Sequence, residues 1–329
     1  MKPLDVQRQS EAAYGQWKEK WREHAERARK FSPFKSLGDF VNSGVGKAAL
    51  MVANGASLEE EIETIKKHQD NVDIFCCDKT LGHLIDNGIT PDFCFVCDAV
   101  VDYETYMKPW EDKLQDTVLF TNVCGNPQWF ENGNWKDRYF FVNQDVIKSE
   151  VEFMNISGCK NVIPAATNVS NAMVVFITQC TNEGRNNFFG YDKILLIGYD
   201  YSWEASGKYY AFDDTGNGKH NYMRHIFCYN IRGRLSYSSS NLTFSAQWLE
   251  KYVSAFKLPV VQCSGSSILS LKYNSRLKDH IGYKYKMEDR SYVRKVMKEK
   301  AQLINKISKI DRSLVKIGKD HLRSFLSSV

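Results

Sequence analysis

The residues best suited to chemistry begin at the turn Asn54-Gly55-Ala56-Ser57-Leu58, which follows an apolar run and precedes Glu59, Glu60 and Glu61. A small, flexible turn lets the backbone approach a ligand, and the free N–H groups of a helix's first turn point at it. That arrangement suits the phosphate of a nucleotide. Ser57 either donates its hydroxyl to phosphate or caps the helix. The glutamate run equally well complements the helix dipole.

Acidic residues stand where apolar runs end: Asp78, Asp98 and Asp200. Carboxylates at the carboxyl edge of a parallel sheet can bind a ribose, a metal or a sugar hydroxyl, and each can instead cap a helix. Asp98 with Asp102 is the candidate holder of a hard cation such as Mg²⁺. Other motifs fall short. Cys94-Phe95-Val96-Cys97 alternates along a strand and has no second ligand pair, which argues against zinc. Gly44-Val45-Gly46-Lys47 ends like a phosphate-binding P-loop, but Val41 and Ala48 stand where glycine and a hydroxyl are required. Gly55 lacks the companions of a dinucleotide fingerprint.

The elements that must position these residues alternate. Ala48 to Ala53, Val72 to Cys77, Asp92 to Cys97, Val118 to Thr121, Tyr139 to Val142, Lys193 to Ile197 and Val260 to Cys263 read as strands. Leu58 to His68, Thr80 to Asn87, Ala166 to Cys180 and Leu242 to Phe256 read as helices. Such alternation predicts an α/β fold, with a Rossmann-like, mostly parallel sheet and helices on both faces. Residues 1–38 form an N-terminal helical arm, with a helix from Ser10 to Lys30 ended by Ser32-Pro33. Residues 39–285 make the nucleotide-binding domain and residues 286–329 a basic helical tail. Gly198 to Tyr237 reads as a long polar and aromatic loop, where α/β proteins place ligand contacts.

Composition sets the outer limits. The 329 residues suffice for a real core, with 43% hydrophobic and 25% charged residues. No run approaches the roughly 20 apolar residues of a membrane span, and the first residues do not resemble a signal peptide. Cysteines buried in apolar runs suit a reducing compartment, so a cytoplasmic protein is expected. The net charge of +5 is concentrated towards both ends. Basic ends suit nucleic acid, an anionic membrane or acidic partners, or are solvated helix faces. The stripe Ile304, Ile307, Ile310, Leu314 and Ile317 packs on the chain's own core or on a second subunit of an oligomer.

Four segments together carry a resemblance. Ala53-Asn54-Gly55-Ala56-Ser57-Leu58 resembles the G-N-G-P-S-L phosphate loop of Campylobacter-type bacterial sialyltransferases and the G-P-S-L loop of the MptE-like family. That family includes archaeal 6-hydroxymethylpterin diphosphokinases and the central domain of Maf flagellin glycosyltransferases. Leu84 to Asp98, with Gly88-Ile89-Thr90-Pro91-Asp92, is similar to its G-I-x-P-D segment. Leu196 to Tyr201 followed by Gly207 to Asp213 resembles the sialyltransferases' G-x-D-F-Y and Y-A-F-D. Ser264-Gly265-Ser266-Ser267 is similar to the closing N-x-T-x-G turn. The likeness spans roughly residues 46 to 272 and implies a GT-A-like fold.

By this resemblance Asn54, Gly55, Ala56 and Ser57 contact the donor phosphates, and Asn168, Val169 and Ser170 lie against the nucleotide. Asp200 and Tyr201 wall the donor and acceptor pocket. The sialyltransferases' catalytic histidine falls on Tyr237, so His220, His225, Asp213 and Asp214 become candidates for the proton acceptor. The expected activity is glycosyl transfer from a CMP- or UDP-type nucleotide sugar to a hydroxyl acceptor, polymeric acceptors such as protein or hydroxylated DNA included. The alternatives are a Mg²⁺-dependent diphosphokinase using ATP, and a non-catalytic nucleotide or nucleic-acid binding module, for which 17 Tyr and 7 Trp offer stacking surfaces.

Overall fold

The computed structural model describes residues 3–180, 185–186, 188–204, 208, 210–212 and 226–281. The chain divides into two compact units, Met1–Tyr283 and Lys284–Val329, and the described residues all belong to the first.

Helix α1 (Pro3–Ala28) begins the chain. β1 (Ala48–Val52) leads to α2 (Leu58–His68), β2 (Asp73–Cys77) to α3 (Leu81–Asp86), and β3 (Phe93–Val96) to α4 (Tyr103–Tyr106). β4 (Val118–Asn122), α5 (Pro127–Glu131), β5 (Asp137–Gln144), α6 (Glu150–Ser157), β6 (Val162–Pro164) and α7 (Val169–Thr178) follow. A short antiparallel pair, β7 (Gln179–Cys180) and β8 (Arg185–Asn186), precedes β9 (Lys193–Ile197). Next come β10 (Trp203–Glu204), β11 (Ile226–Tyr229), β12 (Leu235–Ser238), α8 (Ser240–Phe256), β13 (Val260–Gln262) and α9 (Lys278–Ile281).

Eight strands form one parallel sheet in the order β13-β9-β1-β2-β3-β4-β5-β6. The chain runs outward from β1 to β6, then crosses back to lay β9 on the other side of β1. The carboxyl ends of β1 and β9 therefore flank a topological switch point, where the two directions of winding leave a crevice.

Both faces are covered, which is why β1 reads as the unbroken run Ala-Ala-Leu-Met-Val with every residue buried. Leu50 and Val52 face one core with Ala25 and Ala28 of α1, Leu58, Ile62 and Ile65 of α2, Trp129 of α5 and Phe153 of α6. Ala49 and Met51 face the other, filled by Met173 to Ile177 of α7 and Ala246 and Leu249 of α8. Leu58, Ile62 and Ile65 fall on one stripe of α2, and its first-turn glutamates and last-turn Lys66 and Lys67 match the helix dipole.

Three expectations change. The helix expected over Ala166 to Cys180 runs only from Val169 to Thr178, and Gln179 and Cys180 form β7. Helix α1 starts earlier than Ser10, because Pro3 is well placed in a first turn. The stretch from Gly198 to Tyr237 is not wholly loop: it contains the antiparallel sheet β10-β12-β11. Its polarity is inverted, with Ser236 and Ser238 fully buried while Phe227 and Tyr229 are exposed, so no hydrophobic alternation announces it.

Candidate functional site

A cavity of about 230 Å³ opens at the switch point. Ala53 to Gly55 after β1, Cys77 to Lys79 at the end of β2, Asp98 after β3 and Gly198 to Ser202 after β9 line it. Asn168 to Ser170 at the start of α7, Tyr210 and Leu242 complete the wall. Asn54, Gly55, Asp78, Asp98, Asn168, Ser170, Asp200 and Tyr201 are thus brought together.

The turn after β1 is closed from within. Asp200 is buried, and its Oδ2 accepts the Ser57 amide at 2.9 Å while its Oδ1 accepts the Ser57 hydroxyl at 2.5 Å. The Gly55 amide donates to the Gly198 carbonyl at 2.9 Å and the Leu58 amide to the Gly55 carbonyl at 3.0 Å. The amides of Gly55, Ser57 and Leu58, expected to hold a donor phosphate, are therefore occupied by the protein. A carboxylate from the neighbouring strand already serves as the anion at the start of α2. Ser57 makes no side-chain cap. Glycine is required on both sides of this contact. A Cβ on Gly198, whose φ is +71°, would lie 1.9 Å from the Ala53 carbonyl oxygen, and one on Gly55 would meet the Asp200 carboxyl at 2.7 Å.

Each oxygen of Asp200 thus accepts a hydrogen bond from Ser57. Burial pushes its pKa up to about 6, and the Ser57 hydrogen bonds oppose the rise. The turn that follows β13 braces the same region. The Ser264 hydroxyl accepts the Tyr199 amide at 3.1 Å, and the Ser267 hydroxyl donates to the Tyr199 carbonyl at 2.6 Å.

Lys79, just after β2, supplies the cavity with a cation. Its Nζ lies 5.6 Å from the centre of the Tyr106 ring and 5.2 Å from that of Tyr210, a cation–π arrangement that fixes the ammonium. Burial opposes its charge, but Tyr210, Tyr106, Asp78 and Asp98 outweigh that cost and hold its pKa above the ordinary value. Sequence reasoning passed over this residue. The available signal was its place beside Asp78 at the carboxyl end of an apolar strand.

Asp78 is buried. Its Oδ1 accepts the Lys79 amide at 2.7 Å, and its Oδ2 has no hydrogen-bond partner. Burial raises its pKa to about 6. Asn54 Oδ1 is likewise buried and unpartnered. Asp98 Oδ1 accepts the Val100 amide at 2.9 Å. Asp102 is not part of the lining: its Oδ1 caps α4 through the Glu104 amide at 3.3 Å, and its Oδ2 accepts the Thr105 hydroxyl. The carboxylate that shares the cavity with Asp98 is Asp78, and the structure does not bring Asp102 to it.

Asn168 Oδ1 accepts the Asn171 amide at 2.8 Å and the Ser170 hydroxyl at 3.0 Å, capping α7 at the cavity wall. The Tyr201 hydroxyl donates to Asn171 Oδ1, and the Tyr199 hydroxyl to the Ser170 carbonyl at 2.9 Å. Ala56 is half-buried and lies outside the lining. Tyr237 also lies outside it: it pairs with Trp203 and Phe227, its ring 5.2 Å from that of Phe227, while the adjacent Ser238 hydroxyl donates to the Tyr201 carbonyl. Asp213, Asp214, His220 and His225 lie outside the described residues. Among the described residues no three His, Cys, Asp or Glu side chains gather as a metal cluster, and no helix is long and apolar enough to cross a membrane.

The family model described as 6-hydroxymethylpterin diphosphokinase MptE-like matches residues 22–206, more than half of the chain. The chain belongs to the MptE-like family. The matched segment contains β1 to β9 and every cavity residue named above except Tyr210 and Leu242. The solved structure of a Maf glycosyltransferase from Magnetospirillum magneticum AMB-1 shares the fold of this MptE-like chain, with a TM-score of 0.53 and 15% identity. The match covers 77% of this chain and 38% of that one, so the present chain spans well under half of the Maf protein's length. No curated protein matches the sequence.

Proposed function

We propose that the MptE-like chain is a nucleotide-sugar-dependent glycosyltransferase whose donor phosphate binds Lys79 across from the start of α7. The observation that carries this reading is the Lys79 ammonium, fixed between Tyr106 and Tyr210 in the cavity that Asn168 to Ser170 also line. A fixed cation and a helix N-terminus on one small cavity suit a phosphate that gains negative charge as the glycosidic bond to it breaks. The fold neighbour's description as a glycosyltransferase agrees with this choice.

In this reading the acceptor oxygen attacks the anomeric carbon, the nucleotide departs with the bonding electron pair, and a base takes the acceptor proton. Asp200 is hydrogen-bonded to Ser57 through both oxygens, and Asp213, Asp214, His220 and His225 are the proposed bases. The donor is of the CMP or UDP type. The acceptor is a hydroxyl on a polymer, protein or modified DNA, brought in by the basic residues after Lys286. The test is turnover with CMP- and UDP-sugars. Activity lost in one of the variants Asp213→Ala, Asp214→Ala, His220→Ala or His225→Ala, with nucleotide binding retained, identifies the base. Donor hydrolysis and transfer absent with every CMP- and UDP-sugar rules the reading out. Truncation before Lys286 should weaken polymer binding and its salt dependence if the tail holds the acceptor.

A second reading, a Mg²⁺-dependent diphosphokinase, is favoured by Asp78 and Asp98 lining one cavity with Asp78 Oδ2 unpartnered. Those two carboxylates would hold the ion, which would supply positive charge against the phosphates of ATP. Transfer of pyrophosphate from ATP, abolished by EDTA, would establish this activity in place of the first.

A further inference from the structure

The small sheet β10-β12-β11 has an aromatic face and an open edge. Its register sets Trp203, Tyr237 and Phe227 in one row and Leu235 and Tyr229 in the next, all on one face, because opposed residues share a face and neighbours alternate. Exposure grows towards β11: Trp203 is buried, whereas Phe227 is 67% exposed and Tyr229 73%. β11 is the outer strand, and among the described residues it pairs with β12 alone. The Asn230 amide donates to the Arg234 carbonyl at 3.0 Å, so Asn230, Cys228 and Ile226 turn their backbone groups towards β12. Phe227 and Tyr229, between them, direct their N–H and C=O groups to the open edge. Edge strands are ordinarily blunted by charge, proline or a bulge, and Ile226-Phe227-Cys228-Tyr229 has none of these.

We propose that a second copy of this chain occupies the edge, with β11 pairing antiparallel to the partner's β11 about a twofold axis at Cys228. The strand is self-complementary in that register. Phe227 stands opposite the partner's Tyr229 and Tyr229 opposite the partner's Phe227, so their outward N–H and C=O groups satisfy each other and aromatic meets aromatic. Cys228 faces the partner's Cys228 in the closer, non-hydrogen-bonded pair. β11 carries no charge, so no like charges meet across the axis. The area suffices as well. With the exposed parts of Ile226, Ile231 and Leu235, the two rings present roughly 600 Å² on one copy, and two copies together about 1,200 Å², where specific interfaces begin. The product is one six-stranded sheet with a continuous aromatic face, and it does not depend on the activity of the cavity.

The experiment is sedimentation of the full-length protein across the micromolar range. The mass is expected to rise with concentration from 37.9 kDa towards twice that value. Phe227→Lys and Tyr229→Lys should each weaken association by about tenfold or more, because a lysine on the edge opposes strand pairing. Both side chains are exposed, so the dilute variants should keep the wild-type unfolding midpoint, which shows that they are folded. Oxidation by copper phenanthroline in air should link two copies through a disulfide, and Cys228→Ser should abolish the link. A chain that stays at 37.9 kDa at every concentration overturns the proposal, even where this edge then captures a peptide or a polymeric acceptor. A dimer that both lysine variants keep also overturns it, and its loss in Ile310→Lys would assign that dimer to the C-terminal stripe. A dimer with no Cys228 link overturns the pairing about Cys228.

Discussion

Asp200 Oδ2 accepts the amide of Ser57 and Asp200 Oδ1 its hydroxyl, so a carboxylate from the end of β9 closes the turn that leads from β1 into α2. The pair lies 143 residues apart in sequence. It joins the two strands at which the sheet reverses direction, so it belongs to the framework of the cavity.

Removing one partner of this pair leaves the other buried and unsatisfied. Asp200→Ala is expected to destabilise the fold by roughly 2–4 kcal/mol, through two unpaired donors at Ser57 and the cavity left by the carboxyl group. Ser57→Ala should cost less, about 1–3 kcal/mol, because the Ser57 amide still meets Asp200. Chemical denaturation measures both. Equal wild-type stability in both variants would mean that the contact holds nothing together.

Gly198 tests the same junction from the backbone. Its positive φ and the approach of the Ala53 carbonyl leave no room for a methyl group, so Gly198→Ala must push β1 from β9. The expected loss is on the order of 3 kcal/mol or more. Thermal unfolding together with nucleotide titration should show stability and binding falling together. Gly233→Ala is the control, because its φ is also positive but nothing lies within 4 Å of an added Cβ.

The buried acids give stability a pH dependence of definite sign. Asp78 has a native pKa of about 6, above its ordinary 3.8, because burial disfavours its charge; the Lys79 amide and ammonium oppose the rise and Asp98 adds to it. The native state therefore binds more protons than the unfolded state between about pH 4 and 6. The stability that Asp78 contributes is present below that window and lost as pH rises through it. For one such carboxyl the loss is on the order of 3 kcal/mol. Asp78→Asn should match the wild type near pH 4 and exceed it at pH 7.5, by denaturant unfolding at each pH. Asp200 adds a loss of the same sign. An Asp78→Asn advantage that stays constant across this range contradicts the assignment.

Much of the framework was legible in the sequence. β1, β2, β3, β9 and β13 are buried on both faces, so their apolar runs stand out, and Asp78, Asp98 and Asp200 follow directly from where those runs stop. The family could be read as well, because its segments recur in order. The partnership of Ser57 with Asp200 was not legible, since a hydroxyl at a helix start looks the same whether it meets a phosphate or a distant carboxylate. Lys79 was hidden for a related reason: its role depends on Tyr106, at the end of α4, and Tyr210, which are far from it in sequence. α5 and α6 were missed because five and eight residues give too few turns to show a period.

The central claim is that Lys79 holds a nucleotide phosphate in the switch-point cavity. Calorimetric titration of CMP, UDP and ADP into the wild type and into Lys79→Met, each with and without Mg²⁺, tests it most directly. The account predicts that CMP or UDP binds the wild type without Mg²⁺ and that Lys79→Met weakens this binding at least tenfold while the protein stays folded. Equal nucleotide affinity in the two proteins, or no binding to the wild type by any of the three, would contradict it.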